Sequence, residues 1–221
     1  MADVTFASEG FITFAKPYLR DCPNTLIAHH LKLAAREFLR RTGLWDVAIT
    51  PINVVGSTAV YAVPAPIANT EIVEFLEVRY STRRIWPLDR DEANARYGDD
   101  WENTTSAEPN EYVLDDESTF RLVPKPTVSV TGGLTAFVGL QPALAATGIP
   151  ERLYNRYGEH IAWAALRDLM GIPDKPWTSA GGATHFMDKF EDAVNDGRSL
   201  VNKRYANRDL QVNVRGTLWG R

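Results

Sequence analysis

The spacing of apolar residues changes twice along this 221-residue chain, and that change restricts the fold more than any other feature. Over residues 24–41 the apolar residues recur every three or four positions, and Gly43 follows as a stop signal, which is typical of an amphipathic helix. Between about residues 45 and 142 the period becomes two. A helix places residues three or four apart on one face, whereas a strand places every second residue on one face, so the chain is predicted to pass from a helix into strands.

Short segments in this middle region are rich in β-branched and aromatic residues and are separated by Gly, Pro, Asn and Asp. They are typical of antiparallel strands. The predicted strands are residues 47–55, 60–63, 72–80, 112–114, 119–123 and 134–141. Between the third and the fourth, the run Asp89-Arg90-Asp91-Glu92 resembles a capping box and Gly98 a stop signal, so a short helix is predicted over 89–97.

Helical spacing returns at Pro150 and continues to residue 169, and a further helix is predicted over about 183–205. The order helix, strands, helix, helix predicts an α+β fold, in which a helical bundle built from both ends of the chain carries an inserted antiparallel β-rich module, sandwich or barrel-like. The predicted segments are 1–44 (N-terminal segment and first bundle helix), 45–142 (β-rich module), 143–205 (bundle helices) and 206–221 (extended C-terminal tail).

The composition is that of a soluble globular protein, with 44% hydrophobic and 24% charged residues. Cys22 is the single cysteine, so an internal disulfide is excluded and the usual Cys/His zinc site is not expected. The first 30 residues lack a basic start followed by an apolar run, and no apolar stretch approaches the ~18 residues that cross a bilayer. Neither a signal peptide nor a membrane partner is therefore expected.

Charge is distributed unevenly, although the formal net charge is only −4. Residues 89–120 contain eleven acidic residues against Arg90 and Arg96, whereas residues 198–221 contain six basic residues against Asp209. One interpretation is a solvated acidic loop and a cationic tail. The other is that the two regions face different partners.

Common catalytic motifs are absent: the sequence contains no phosphate-binding loop, dinucleotide-binding turn, zinc-protease helix or nucleophile elbow. Glu159 and His160 are adjacent and can act as acid and base in a hydrolase or nucleotide-modifying enzyme, but no nucleophile can be assigned to them, and a surface pair is favoured. The aromatic residues in and beside the acidic region are predicted to pack in a sandwich core rather than to stack on bases, because a phosphate backbone would be repelled there. They are Trp86, Tyr97, Trp101, Tyr112 and Phe120. No catalytic residue, cofactor or metal is expected.

The last twelve residues have a different pattern. Leu210, Val212 and Val214 alternate with polar residues as in a strand, and two glycines then flank the apolar pair Leu218-Trp219. A lone strand cannot satisfy its own backbone hydrogen bonds. This tail is therefore predicted to be fixed against its own fold or another chain, and strand addition to a protein partner suits it at least as well as DNA contact.

One ordered series of motifs resembles a known family. The series comprises the helix and turn from Ala28 to Trp45, Tyr61-Ala-Val-Pro64, residues 72–78, a small helix before Trp101, residues 109–112 and 120–126, residues 134–142, Ile149-Pro150, the alanine-rich helix through Ala165, and Pro176-Trp177. In order and spacing it is similar to the head-to-tail adaptors of tailed bacteriophages, the connector proteins also called tail tubular protein A in short-tailed phages. The resemblance covers residues 11–205.

The resemblance implies a structural virion protein rather than an enzyme: a dodecameric ring beneath the portal of the capsid, which joins the capsid to the phage tail and surrounds the DNA exit channel. Implied partners are further copies of the chain, the portal protein, tail nozzle, tail tube or fibre proteins, and DNA in transient, non-specific passage. The implied location is the virion neck, with assembly in the host cytoplasm. A tail-completion or stopper protein of the neck is the alternative.

By position, the C-terminal tail corresponds to the extension that docks on the portal in this family. The residues assigned to that docking are Leu210, Val212, Val214, Arg215, Leu218, Trp219 and Arg221.

Overall fold

A computed structural model describes residues 3–206 of the chain. Its helices are α1 (Glu9–Ala15), α2 (Asn24–Thr42), α3 (Arg90–Tyr97), α4 (Glu151–Met170) and α5 (Ala180–Ala206), with 3₁₀ turns at Lys16–Tyr18 and Trp101–Asn103. Its strands are β1 (Asp3–Thr5), β2 (Asp46–Ala48), β3 (Ile52–Val54), β4 (Val60–Ala62), β5 (Thr70–Tyr80), β6 (Arg83–Pro87), β7 (Thr105–Ser106), β8 (Glu111–Leu114), β9 (Thr119–Val123), β10 (Lys125–Pro126), β11 (Val130–Pro142) and β12 (Gly148–Pro150). The predicted mixed α+β class is confirmed.

The long helices form where the apolar spacing predicts them. Gly43 ends α2 in a left-handed conformation with φ of 65°, and its N–H donates to the carbonyl of Leu39. Helices α2, α4 and α5 pack on one another, α1 packs on α4, and α2 also lies against β11. The predicted short helix is confirmed as α3, where the Asp89 carboxylate accepts a hydrogen bond from the N–H of Glu92 at 2.7 Å.

Helix α1 was not predicted from the apolar spacing. It has seven residues, too few to display a helical repeat, yet Phe11, Ile12 and Ala15 are buried on one side of it. The hydroxyl of Ser8 accepts a hydrogen bond from the N–H of Phe11 and so caps the first turn. Burial against α4, rather than helix propensity alone, accounts for this short element.

An eight-stranded sheet follows the order β2-β11-β5-β6-β8-β9-β4, and β3 also pairs with β11. The longest pairing joins β5 and β11 in antiparallel fashion, from Tyr80 opposite Leu134 to Thr70 opposite Pro142. Two features of the sequence prediction are wrong. The single strand over 47–55 is two strands, because Pro51 lacks an N–H donor and interrupts the ladder. The sheet is not wholly antiparallel, since β6 pairs with β8 in parallel.

Two groups of buried side chains fill the interior. The larger group is continuous from the helices into most of the sheet and includes Phe11, Phe38, Phe120 and Phe190. The smaller group belongs to the region around α3, β8 and β9. Its members are Leu88, Ala93, Trp101, Val113 and Val123, with Tyr97 packed against them. The acidic stretch of the sequence is therefore built around a small core of its own.

Candidate functional site: interaction surfaces

The last turn of α5 is fixed to the sheet. The Arg204 guanidinium lies 2.8 Å from one carboxylate oxygen of Asp46, and the Tyr205 hydroxyl donates to the other at 2.8 Å. The Tyr205 ring also packs on Phe137, with 6.2 Å between the ring centroids. Burial and the hydrogen bond to Asp46 raise the pKa of Tyr205. These contacts hold the end of α5 beside β2, the terminal strand of the sheet.

The residues assigned to docking lie outside the described residues. They are Leu210, Val212, Val214, Arg215, Leu218, Trp219 and Arg221. The described structure locates the end of α5, from which the segment carrying them continues. Their role stays a prediction.

Helices α2, α4 and α5 are joined by a half-buried ionic cluster. Arg41 on α2 donates to Glu191 on α5 at 2.7 Å, and Arg167 on α4 donates to Glu37 on α2 at 2.8 Å. Both guanidinium groups lie near the Phe190 ring, 5.6 and 5.2 Å from its centroid. Desolvation opposes ionisation of Glu37, but the hydrogen bonds from Arg167 and Arg41 outweigh it and hold its pKa below the usual range. The cluster fixes the three helices relative to one another.

Glu159 and His160 lie on α4 in different surroundings. Glu159 is exposed, but His160 is half-buried against the ring of Trp163, at 4.8 Å between centroids. Burial lowers the pKa of His160, although Glu159 and Asp196 oppose the shift. The interpretation as a surface pair is therefore wrong for His160, because the helical period turns it toward Phe38 and α2. Within residues 3–206, no group of three His, Cys, Asp or Glu side chains is arranged to hold a metal ion.

The aromatic residues of the β-rich region divide into two groups. Trp101, Tyr112 and Phe120 are buried, as a packed core predicts. The prediction is wrong for Trp86, which is 49% exposed, with the Arg84 guanidinium 4.2 Å from its ring centroid. Side chains alternate along β6, and because Ile85 points into the core, its two neighbours point outward.

A groove lined by basic side chains lies where α2, α5 and β5 meet. Its volume is about 320 Å³. Its lining residues are Arg40, Arg41, Thr42, Glu74, Leu76, Arg198, Val201 and Asn202. We call this feature the basic groove.

The cations of the basic groove are not all neutralised by the fold. Arg41 is bound to Glu191 and Glu37. In contrast, Arg40 and Arg198 are exposed and form no ion pair with any residue between 3 and 206. The carboxylate of Glu74 shares the groove, where desolvation raises its pKa and the charge of Arg198 lowers it. The groove thus presents two guanidinium groups with a single carboxylate between the helices.

The acidic region forms a compact lobe, here called the acidic lobe and defined as residues 88–123. Its arginines are bound by its own carboxylates: Arg90 contacts Asp115 at 2.9 Å, and Arg96 contacts Glu111. Arg121 contacts Glu102 at 3.3 Å. Several exposed carboxylates have no ion pair in the described part of the chain, namely Asp91, Glu92, Asp99 and Glu117. The outer surface of the lobe is therefore negative.

The two charged surfaces lie on different sides of β5. Glu74 of β5 lines the basic groove. The next side chain, Phe75, points to the other side of the strand and packs on Tyr112 and Phe120 of β8 and β9, the strands on which the acidic lobe is built. One molecule therefore carries two different, oppositely charged faces.

The part of the chain that the structure describes contains no helix long and apolar enough to span a membrane. The model of one protein family, described as SU10 adaptor protein, matches residues 9–215. This match confirms the resemblance to the head-to-tail adaptors of bacteriophages that the motif order indicates. A search of curated proteins gives no match.

Proposed function

The chain belongs to the SU10 adaptor protein family, and from that premise we propose that it forms a ring beneath the portal of a phage capsid, which joins the capsid to the tail and encircles the DNA exit channel. Membership makes it a structural adaptor of a bacteriophage. The family match, which spans all but the two ends of the chain, is the observation that carries the proposal. The neck of the virion is the location it implies, after assembly in the host cytoplasm.

In this proposal the helices form a bundle that is the rigid wall of the ring, with the β-rich region 45–142 inserted in it. The ionic cluster around Glu37 supports that role, because it ties α2, α4 and α5 together without help from a partner. The net charge of −4 also suits a ring through which DNA passes, since each phosphate bound by Lys or Arg would add attraction and slow its movement.

The C-terminal tail would attach the ring to the portal. Its alternating apolar residues Leu210, Val212 and Val214 would fill pockets while the backbone completes hydrogen bonds of the partner, and Trp219 would be a buried anchor. The contacts of Arg204 and Tyr205 with Asp46 support this arrangement, because they give every subunit of a ring the same starting point for the tail.

Deletion of residues 210–221 tests the proposal. The shortened protein should fold as before, because it keeps every residue of the large buried core, and it should no longer co-sediment with purified portal rings. Trp219→Ala alone should weaken attachment by about 2 kcal/mol or more per contact, multiplied over the linked subunits of the ring. As a matched control, Gln211→Ala with Asn213→Ala changes the alternate side chains and should leave attachment unchanged.

Co-sedimentation of the shortened protein at the wild-type level would refute portal docking by the tail. Binding to a tail-tube protein but not to portal rings would instead assign the chain to the completion or stopper proteins of the neck. Electron microscopy of the complex would also count the subunits, for which the family resemblance implies twelve.

A further inference from the structure

The basic groove contains two cations, Arg40 and Arg198, that form no ion pair within residues 3–206. Along α2, Lys32 donates to the carbonyl of Leu144 at 3.0 Å and Arg36 is paired with Glu71 at 2.9 Å. Arg40, one turn further along the same face, has no ion pair within residues 3–206, and neither has Arg198 across the groove. Two guanidinium groups beside a cavity of about 320 Å³ suit one or two carboxylate side chains.

The acidic lobe offers the complementary groups. Asp99 lies in the turn after α3, and Glu117 lies in the bend between β8 and β9; both are exposed and have no ion pair in the described region. The buried side chains of Trp101 and Val113 hold these turns on a defined surface instead of a loose loop. Carboxylates on ordered turns can bind with little loss of conformational entropy.

The placement of the two surfaces matches the requirement of a ring. In a ring of identical subunits each contact is heterologous: one face of a subunit meets a different face of the next. A groove formed by α2 and α5 on one side of β5, and a lobe on β8 and β9 on the other side, are two such faces. Opposite charges on them would favour the head-to-tail pairing and disfavour head-to-head pairing.

We propose that the basic groove receives the exposed carboxylates of the acidic lobe of a second copy of this chain, so that Arg40 and Arg198 of one subunit bind Asp99 and Glu117 of the next. The inference rests on the proposed ring and states which surfaces close it. A DNA backbone is a poorer occupant, because the groove offers only the two unpaired guanidinium groups of Arg40 and Arg198 beside the carboxylate of Glu74, whereas a continuous run of phosphates needs a longer cationic surface.

Reciprocal charge reversal tests this pairing in the full-length chain. The first variant carries Arg40→Glu with Arg198→Glu, and the second carries Asp99→Lys with Glu117→Lys. Asp91 and Glu92 are left unchanged because acidic side chains stabilise the first turn of α3. Each variant alone places like charges in every contact, so the concentration needed to cover half of the portal rings should rise by about tenfold or more.

Mixing the two variants gives the decisive result. In an equimolar mixture, each subunit of one kind can bind a subunit of the other kind on both sides, so rings with an even number of subunits, such as twelve, should form again. A single chain carrying all four substitutions should also assemble. Wild-type assembly should weaken between roughly 0.15 M and about 1 M salt, as the screening length falls from about 8 Å to about 3 Å.

The control has the same change of charge elsewhere: Arg152→Glu with Lys175→Glu alters two exposed cations that lie outside the groove and have no ion pair among residues 3–206. It should assemble as the wild type does, and circular dichroism should show that every variant is folded. Normal assembly of either reversed variant overturns the pairing while the proposed function stands. Failure of the mixture and of the fourfold variant overturns it too, and assigns the groove to the portal or another partner.

Two further results are informative. Loss of DNA binding by the first variant, with assembly unchanged, would assign the groove to phosphate and overturn the pairing. If wild-type protein fails to bind portal rings at all, the proposed function itself is refuted, and the pairing with it.

Discussion

The helical side of the molecule and the acidic lobe are stabilised in different ways. Helices α2, α4 and α5 share a large apolar core, and the cations that face one another there are bound by Glu37 and Glu191. The acidic lobe has a small core of its own around Trp101, although its strands also contribute Tyr112, Phe120 and Leu122 to the large core, and it leaves many carboxylates in solvent. The first region therefore holds the molecule together, whereas the charge of the second is exposed at its surface.

The largest expected difference between the two regions is in the stability lost when a buried aromatic side chain is shortened to alanine. Phe38 is fully buried among Tyr157, His160 and Phe190, so Phe38→Ala should lower the free energy of unfolding of the whole protein by about 3–5 kcal/mol. Trp101→Ala should instead open the acidic lobe locally and leave the amide protection of α2 and α4 intact. Denaturant titration and hydrogen exchange measure the two effects.

A matched control is Phe14→Ala, which removes the same side chain at a position that is 36% exposed and should cost much less. If Trp101→Ala removed the protection of all helices at once, the acidic lobe would not be a separate stabilising unit.

The next effect concerns the ionic cluster. Glu37→Gln removes the charge that Arg41 and Arg167 share, and it should cost about 1–3 kcal/mol, because two half-buried guanidinium groups lose a charged acceptor. Glu159→Gln, an exposed change on α4, should stay within about 0.5 kcal/mol. Urea titration of both variants at neutral pH compares them.

The same cluster predicts how stability depends on pH. The pKa values of Glu37 and Glu191 are held below the usual range, so their contribution is present above the unfolded-state pKa of about 4.3 and is lost as the pH falls through the lower folded values. Unfolding free energy should therefore fall on acidification below about pH 5. Glu37→Gln should flatten that slope, and an unchanged slope would mean that other carboxyl groups control acid stability.

The smallest effect is expected at Trp86. This side chain is exposed and contacts the Arg84 guanidinium, and exposed cation–π pairs are worth about 0.5–1 kcal/mol. Trp86→Ala should therefore lower stability by about 1 kcal/mol or less, in contrast to Trp101→Ala in the small core of the acidic lobe. A loss as large as that of Phe38→Ala would show that Trp86 supports the core.

Local patterns predict much of this fold. The apolar spacing identifies α2, α4 and α5, and the turn signals at Asp89 and Gly98 identify α3. Strand β6 is not predicted because it has a single inward-pointing apolar residue, Ile85. Its other residues, among them Arg83, Arg84 and Trp86, do not form an alternating apolar and polar pattern. The break before β3 follows from Pro51, whose effect depends on where the ladder hydrogen bonds fall.

The two charged surfaces also differ in how far the sequence predicts them. The acidic run can be read directly from the sequence, because its carboxylates are close together in the chain. The basic groove cannot, since Arg40, Glu74 and Arg198 come from α2, β5 and α5 and meet only after folding. The only local sign of this groove is the four-residue spacing of Arg36 and Arg40 on α2. That spacing does not show that Arg36 forms an ion pair with Glu71 whereas Arg40 forms none within residues 3–206.

Cryo-electron microscopy of the full-length protein bound to portal rings would show directly whether this chain forms the proposed ring. We expect a closed ring of identical subunits below the portal, with the C-terminal tail of each subunit on the portal and its acidic lobe against the groove around Arg40 of its neighbour. A monomer on a tail protein, or a C-terminal tail packed on its own subunit with no portal in reach, would contradict it.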